Sequence, residues 1–112
     1  MAVSTIKNDF AHAYVQLSRH SRNFNFYRTG HVVNAVWNGD WTDVPHGQYI
    51  VLGTIPSGFE PTIASLIVPE QTSIGHDVVL YLNTDGTIGV YSYLSYDIVS
   101  ATNGRYNVTY IV

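Results

Sequence analysis

The chain contains no cysteine, which excludes thiolate catalysis, cysteine-ligated zinc and any disulfide scaffold. Charge is almost as scarce. Lys, Arg, Asp and Glu make up 12% of the residues, against roughly 25% in an ordinary soluble domain. Lys7 is the only lysine, and the net charge is −3. Phosphate-backbone recognition needs several convergent cations for counterion release, so composition argues against nucleic acid. No apolar run reaches the roughly 18 residues of a membrane helix, which argues against a membrane partner. Lys7 and Asp9 stand where an export signal requires an apolar core. No stretch keeps a helical period for ten residues, and no internal repeat, heptad or low-complexity tract occurs. Gly-x-Ser-x-Gly elbows, phosphate loops and dinucleotide fingerprints are also missing, so the sequence offers no catalytic motif.

What remains is a chain of 112 residues, the size of one domain, with nine Tyr and two Trp. It can remove roughly 60–70% of its unfolded surface from water, so neither a metal nor a bridge is required for stability. A neutral surface rich in Tyr and Asn suits saccharide or protein contacts.

Short alternating segments separated by turn residues run through the chain. Phe24 and Phe26 alternate with Asn23, Asn25 and Tyr27, and Thr29-Gly30 supplies a turn. Val32, Asn34 and Val36 then face one side, and Val33, Ala35 and Trp37 the other. Asn38 to Gly47 reads as a long turn-rich loop carrying Trp41. Two Pro and two Gly between Gly53 and Pro61 forbid a helix and demand a shaped corner. Ile63 to Val68 reads as a strand covered on both faces, followed by a loop from Pro69 to Gly75. Asp77–Leu82 and Thr87–Leu94 form a hairpin about Asn83–Gly86. Asn103-Gly104, the strongest short hairpin signal, predicts a last hairpin from Asp97 to Ile111. The expected fold is all-β, a small antiparallel sandwich or barrel of about 7–9 short strands. Residues 1–12 are expected to be a lead-in or strap, and 13–112 the domain.

Three pieces in order carry a family resemblance. They are the strand-turn-strand Asn25 to Val33, the corner Gly53-Thr54-Ile55-Pro56-Ser57-Gly58-Phe59-Glu60-Pro61, and the strand pair Leu82 to Val90. The corner is similar to a Gly-x-Leu/Ile-Pro-x-Gly-Tyr-Arg-Pro pattern, with Phe59 and Glu60 departing from its Tyr-Arg. In this the chain resembles the C-terminal head domains of receptor-binding proteins of siphophages that infect Gram-positive bacteria, the lactococcal phages being the best-known group. The resemblance implies a homotrimeric, non-enzymatic β head at the virion tail tip, alongside other baseplate or tail proteins. Such a head adsorbs to host cell-wall polysaccharide and needs no cofactor. In that family a saccharide cleft can combine His, Asp, Trp and Arg. His76 and Asp77 are the nearest His/Asp candidates, although a strand sends adjacent residues to opposite faces.

From the residues themselves, Trp41 with Asp40 suits a sugar ring, which stacks its C–H face and bonds its hydroxyls. The alternative is that Trp37 ends a strand in the core and Trp41 caps it. Tyr91 and Tyr93 share a strand face, with Ser92 and Leu94 opposite. They read equally as saccharide contacts, core packing or an oligomer surface. Arg105, in the last strand, completes the candidate saccharide set of Trp41, Asp40, Tyr91, Tyr93, Arg105, His76 and Asp77. The five histidines show no metal-ligand spacing, so no metal is expected. The rival function is a structural virion or baseplate module whose aromatics serve only oligomer contacts.

Overall fold

The computed structural model describes residues 10–73 and 75–112, and the side chains of these apart from Gln71, His76, Asp77 and Asn103. All regular structure there is β, in eight strands: β1 (Phe10–Val15), β2 (Phe24–Thr29), β3 (Val32–Val44), β4 (Tyr49–Thr54), β5 (Leu66–Thr72), β6 (Gly75–Leu82), β7 (Thr87–Ser92) and β8 (Ile98–Ile111). They form two four-stranded antiparallel sheets, ordered β1-β2-β3-β8 and β4-β7-β6-β5. The expected all-β sandwich is what the chain builds. Residues 1–9 of the expected lead-in lie outside the described residues, while Phe10 to His12 already belong to β1.

Alternation decides which side chains fill the space between the sheets. From the first sheet Phe24, Phe26, Val33, Ala35, Trp37 and Tyr110 point inward, and from the second Val68, Val78, Leu80, Leu82, Ile88 and Val90. Phe24 and Trp37, neighbours across β2 and β3, stack with centroids 4.6 Å apart and planes 6° off parallel. Complete burial of each such ring contributes about 2–3 kcal/mol.

The β2–β3 and β6–β7 hairpins are where the turn signals predicted them. Gly30 and Gly86 take the positive φ that each turn requires, 59° and 88°. The Pro/Gly corner is a plug, with Ile55 and Phe59 buried in the core. Arg28 Nη1 donates to the Gly58 carbonyl at 2.6 Å, and Tyr110 Oη donates to the Phe59 carbonyl at 2.7 Å.

Four expectations fail. The Asn38–Gly47 loop is mostly strand, because β3 runs on to Val44. The Asn103-Gly104 hairpin does not exist: β8 continues through it, paired with β3 from Val32–Ile111 to Val44–Ile98. The ladder there shifts register between the Gly39–Gly104 and Trp41–Ala101 pairs. Turn-type residues thus serve a bulge in two long strands, which a local signal cannot distinguish from a reversal. Finally, Pro69 to Thr72 is strand rather than loop, and Ile63 and Ile67 are 80% and 63% exposed rather than covered. β5 is a sheet edge, where a proline forfeits no ladder hydrogen bond.

Candidate functional site

Two surfaces carry the chemistry, and they lie on different sheets. The first is the outer face of β4-β7-β6-β5. Strand register sets Tyr49, Tyr91, Val79 and Pro69 in one row across the four strands, and Val51, Gly89, Tyr81 and Ile67 in the next. Tyr93 follows just past the end of β7, and its ring meets that of Tyr91 with centroids 4.6 Å apart. Tyr49 and Tyr81 meet edge to face at 5.2 Å.

Gly89 makes this arrangement possible. The Tyr49 ring lies directly over its Cα, in space that any Cβ would occupy. The hydroxyls are tied as well: Asn83 Nδ2 donates to Tyr49 Oη at 2.7 Å, and Tyr81 bonds Tyr93. The Tyr81 hydroxyl titrates above the ordinary phenol range, because of desolvation first and then its bond to Tyr93. Among the described side chains of both rows none is charged. Charge appears at the rim, where His46 Nδ1 and Asp97 Oδ1 are 2.6 Å apart beside Gly47, which the Tyr91 hydroxyl reaches. The backbone and side-chain bonds from His46 hold the Asp97 carboxyl below its usual range.

The second surface is a polar groove along the β3–β8 bulge. One lobe, of about 520 Å³, is lined by Gln16, Ser21, Arg22, Asn23, Gly39 and Asp40. A second, of about 280 Å³, shares Arg22, Gly39 and Asp40 and adds Asn38, Gly104 and Arg105. The β1–β2 loop forms one wall. It is docked by Ser21 N donating to the Asp40 carbonyl, Thr42 N donating to the Arg19 carbonyl, both 3.0 Å, and Asp40 N donating to Ser21 Oγ at 2.8 Å. Gly39, at φ 151°, permits this approach, since a Cβ there would stand 2.8 Å from Ser21 Oγ and 2.9 Å from His20 Cε1.

Beneath the bulge lies a buried carboxylate. Glu70 on β5 is 0% exposed and reaches into the place a Cβ of Gly104 would take. It accepts from Trp41 Nε1 at 3.1 Å and from Trp37 Nε1 at 3.4 Å. Burial pushes its carboxyl up to about 7, the two indole bonds pulling the other way.

These positions sort the sequence-derived candidates. Tyr91 and Tyr93 are together on the aromatic face, joined there by Tyr49 and Tyr81. Asp40 and Arg105 are together in the groove, on the other sheet. Trp41 belongs to neither surface. It is fully buried, with His20 packed edge-on at 4.6 Å, so neither ring face is open to a sugar. The expected Trp41–Asp40 stacking site is therefore corrected: continuation of β3 turns the indole into the core toward Glu70. His76 and Asp77 lie on β6, and their side chains fall outside the described residues. The sequence reading missed Tyr49, Tyr81 and Arg22. Tyr49 and Tyr81 carried a usable signal, since both sit in strand text at the parity of exposed residues. Arg22 carried none, because a loop packing onto a bulge brings it to the groove.

Scanned against protein-family models and against curated protein sequences, the chain matches none.

Proposed function

We propose that this chain is a non-enzymatic, saccharide-binding adhesion domain of the phage receptor-binding-head type, presenting the outer face of β4-β7-β6-β5 to host cell-wall polysaccharide. The observation that carries the reading is the convergence of four tyrosine rings, Tyr49, Tyr81, Tyr91 and Tyr93, on a sheet face whose two central rows carry no charge among the described side chains. A pyranose is recognised by stacking its C–H face on an aromatic ring while its hydroxyls exchange hydrogen bonds with polar tips. Tyrosine supplies both at little conformational cost. Tyr93 is 63% exposed and Tyr49 47%, so their rings are within reach of a ligand. The all-β sandwich agrees with the architecture the resemblance implies.

Affinity at one such face is modest, and several copies engaging one polymer multiply it by avidity. A homotrimer carried at a tail tip, with other baseplate or tail proteins around it, would supply that multiplicity.

The rival reading, a structural virion module, uses the same face as an oligomer contact, and Ile67 and Val51 favour it by being exposed.

A cell-wall pull-down and a glycan array with the wild-type protein, Tyr91→Ala and Tyr93→Ala test the proposal. The expected result is saccharide capture by the wild type that both substitutions weaken, with the folded signature intact. A well-folded protein of measured oligomeric state that captures no wall saccharide would overturn it.

A further inference from the structure

We infer that the groove along the β3–β8 bulge is a second binding site, one that takes the acidic unit of a saccharide, a sugar ring carrying a carboxylate or phosphate. The inference rests on the saccharide reading above, but on a different sheet and on different residues.

The chain has four arginines. Arg19 is spent on the Asp43 carbonyl, and Arg28 on the carbonyls of Gly30 and Gly58. Arg22 and Arg105 are exposed, and among the described residues neither guanidinium has a hydrogen-bond or ion-pair partner. They are 83 positions apart in sequence, yet both line the same lobe of about 280 Å³.

Their convergence is built by the backbone. Gly39 and Gly104 are partners in the ladder, and the β1–β2 loop packs so closely on Gly39 that a Cβ there would stand 3.2 Å from Arg22 Cγ. Arg105 projects from β8 in register with Asn38 of β3. The docked loop thus brings Arg22, and β8 brings Arg105, to one lobe that Gly39 and Gly104 also line.

The ligand class follows from the donors and acceptors. A guanidinium is donor-only and permanently charged, and it matches carboxylate or phosphate oxygens in a planar fork. Asp40 lies in the same lobe and forms no ion pair with either arginine, which leaves it to accept from hydroxyl groups. Asn38 adds a group able to donate and accept. A simple anion would use the arginines and be repelled by Asp40. A neutral sugar would use Asp40 and Asn38 and leave both guanidinia idle. A sugar bearing one anionic group uses all four. The small net positive charge of the lobe fits a single anion better than a polyanion, in keeping with the negative charge of the whole chain.

The test is an NMR titration of the intact ¹⁵N-labelled protein with glucose, glucuronate, glucose 6-phosphate and inorganic phosphate, read at the Gly39 and Gly104 amides. Glucuronate and glucose 6-phosphate should shift both amides saturably, about tenfold more tightly than glucose or phosphate alone. Arg22→Gln and Arg105→Gln should each weaken the two acidic sugars about fivefold or more, and added salt should do the same. Glucose binding the groove as tightly as glucuronate would overturn the anion assignment. Inorganic phosphate binding as tightly as glucose 6-phosphate would overturn the saccharide assignment. Wall-saccharide capture that depends on Tyr91 but is untouched by both arginine substitutions would overturn the groove site while leaving the aromatic face standing.

Discussion

Glu70 and Trp41 meet across the sandwich, the carboxylate accepting the indole N–H at 3.1 Å where neither touches solvent. Trp37 donates to the other oxygen at 3.4 Å, so both tryptophans of the chain converge on one titratable group. A raised carboxyl in the fold means that the native state holds a proton which the unfolded chain, near its ordinary 4.5, has already lost. Native stability from this group is therefore fullest below pH 4.5 and is lost as pH rises toward 7. Above that it is flat, and the whole change is worth about 3 kcal/mol.

Urea unfolding between about pH 5 and pH 8 should accordingly show the wild type losing stability with rising pH. Glu70→Gln should flatten that slope. Tryptophan emission should titrate near neutrality in the wild type and lose the step in the variant. His20 acts in the opposite sense. Its imidazole titrates below the ordinary range, from burial first, and so favours the fold as pH rises through that range. The difference between the wild type and Glu70→Gln isolates the carboxyl from it.

Gly104→Ala places a methyl group where the Glu70 carboxylate sits. The carboxylate cannot swing away without breaking its bonds to two indoles, so the substitution should cost about 1–3 kcal/mol. In a Glu70→Ala background the same change should cost less. A double-mutant cycle measured by chemical denaturation reads the coupling directly.

Gly89→Ala strikes the aromatic face without altering a ring. The new Cβ would occupy the space of the Tyr49 ring and lift it from the sheet. Saccharide capture should fall together with the Tyr49–Tyr81 contact, while the circular-dichroism spectrum stays β. Undiminished capture by Gly89→Ala would show that Tyr49 plays no part in it.

Tyr110→Phe tests the Pro/Gly corner. Removing the hydroxyl leaves the Phe59 carbonyl without its 2.7 Å donor in a buried place, a loss of about 1–2 kcal/mol. Burial holds the Tyr110 hydroxyl above the ordinary phenol range, with Glu60 adding to it. In alkaline spectrophotometric titration one tyrosine should therefore ionise only as the protein unfolds.

Hairpins closed by a glycine at positive φ were legible because the turn chemistry and the flanking alternation agree locally, as at Gly30 and Gly86. That Val33, Ala35 and Trp37 share one face was legible for the same reason, since a period of two needs no partner to be seen; that this face is the inner one came from the fold. At Asn103-Gly104 the same turn chemistry misled. Whether such a pair reverses a strand or kinks it depends on what lies alongside, and here that is β3, some sixty residues away in sequence.

The residues alone determined that the regular structure of this chain is β, that side chains alternate between two faces along its short strands, and that the chain is poor in charge and rich in tyrosine. Tertiary structure decided the rest: that Trp41 is core, that Tyr49, Tyr81, Tyr91 and Tyr93 share one face, and that Arg22 and Arg105 flank one groove. The physical reason is range. Alternation and turn preference are properties of neighbouring residues, whereas a shared face or a shared groove is set by ladder register and by a bulge between strands that meet only when the sheets close.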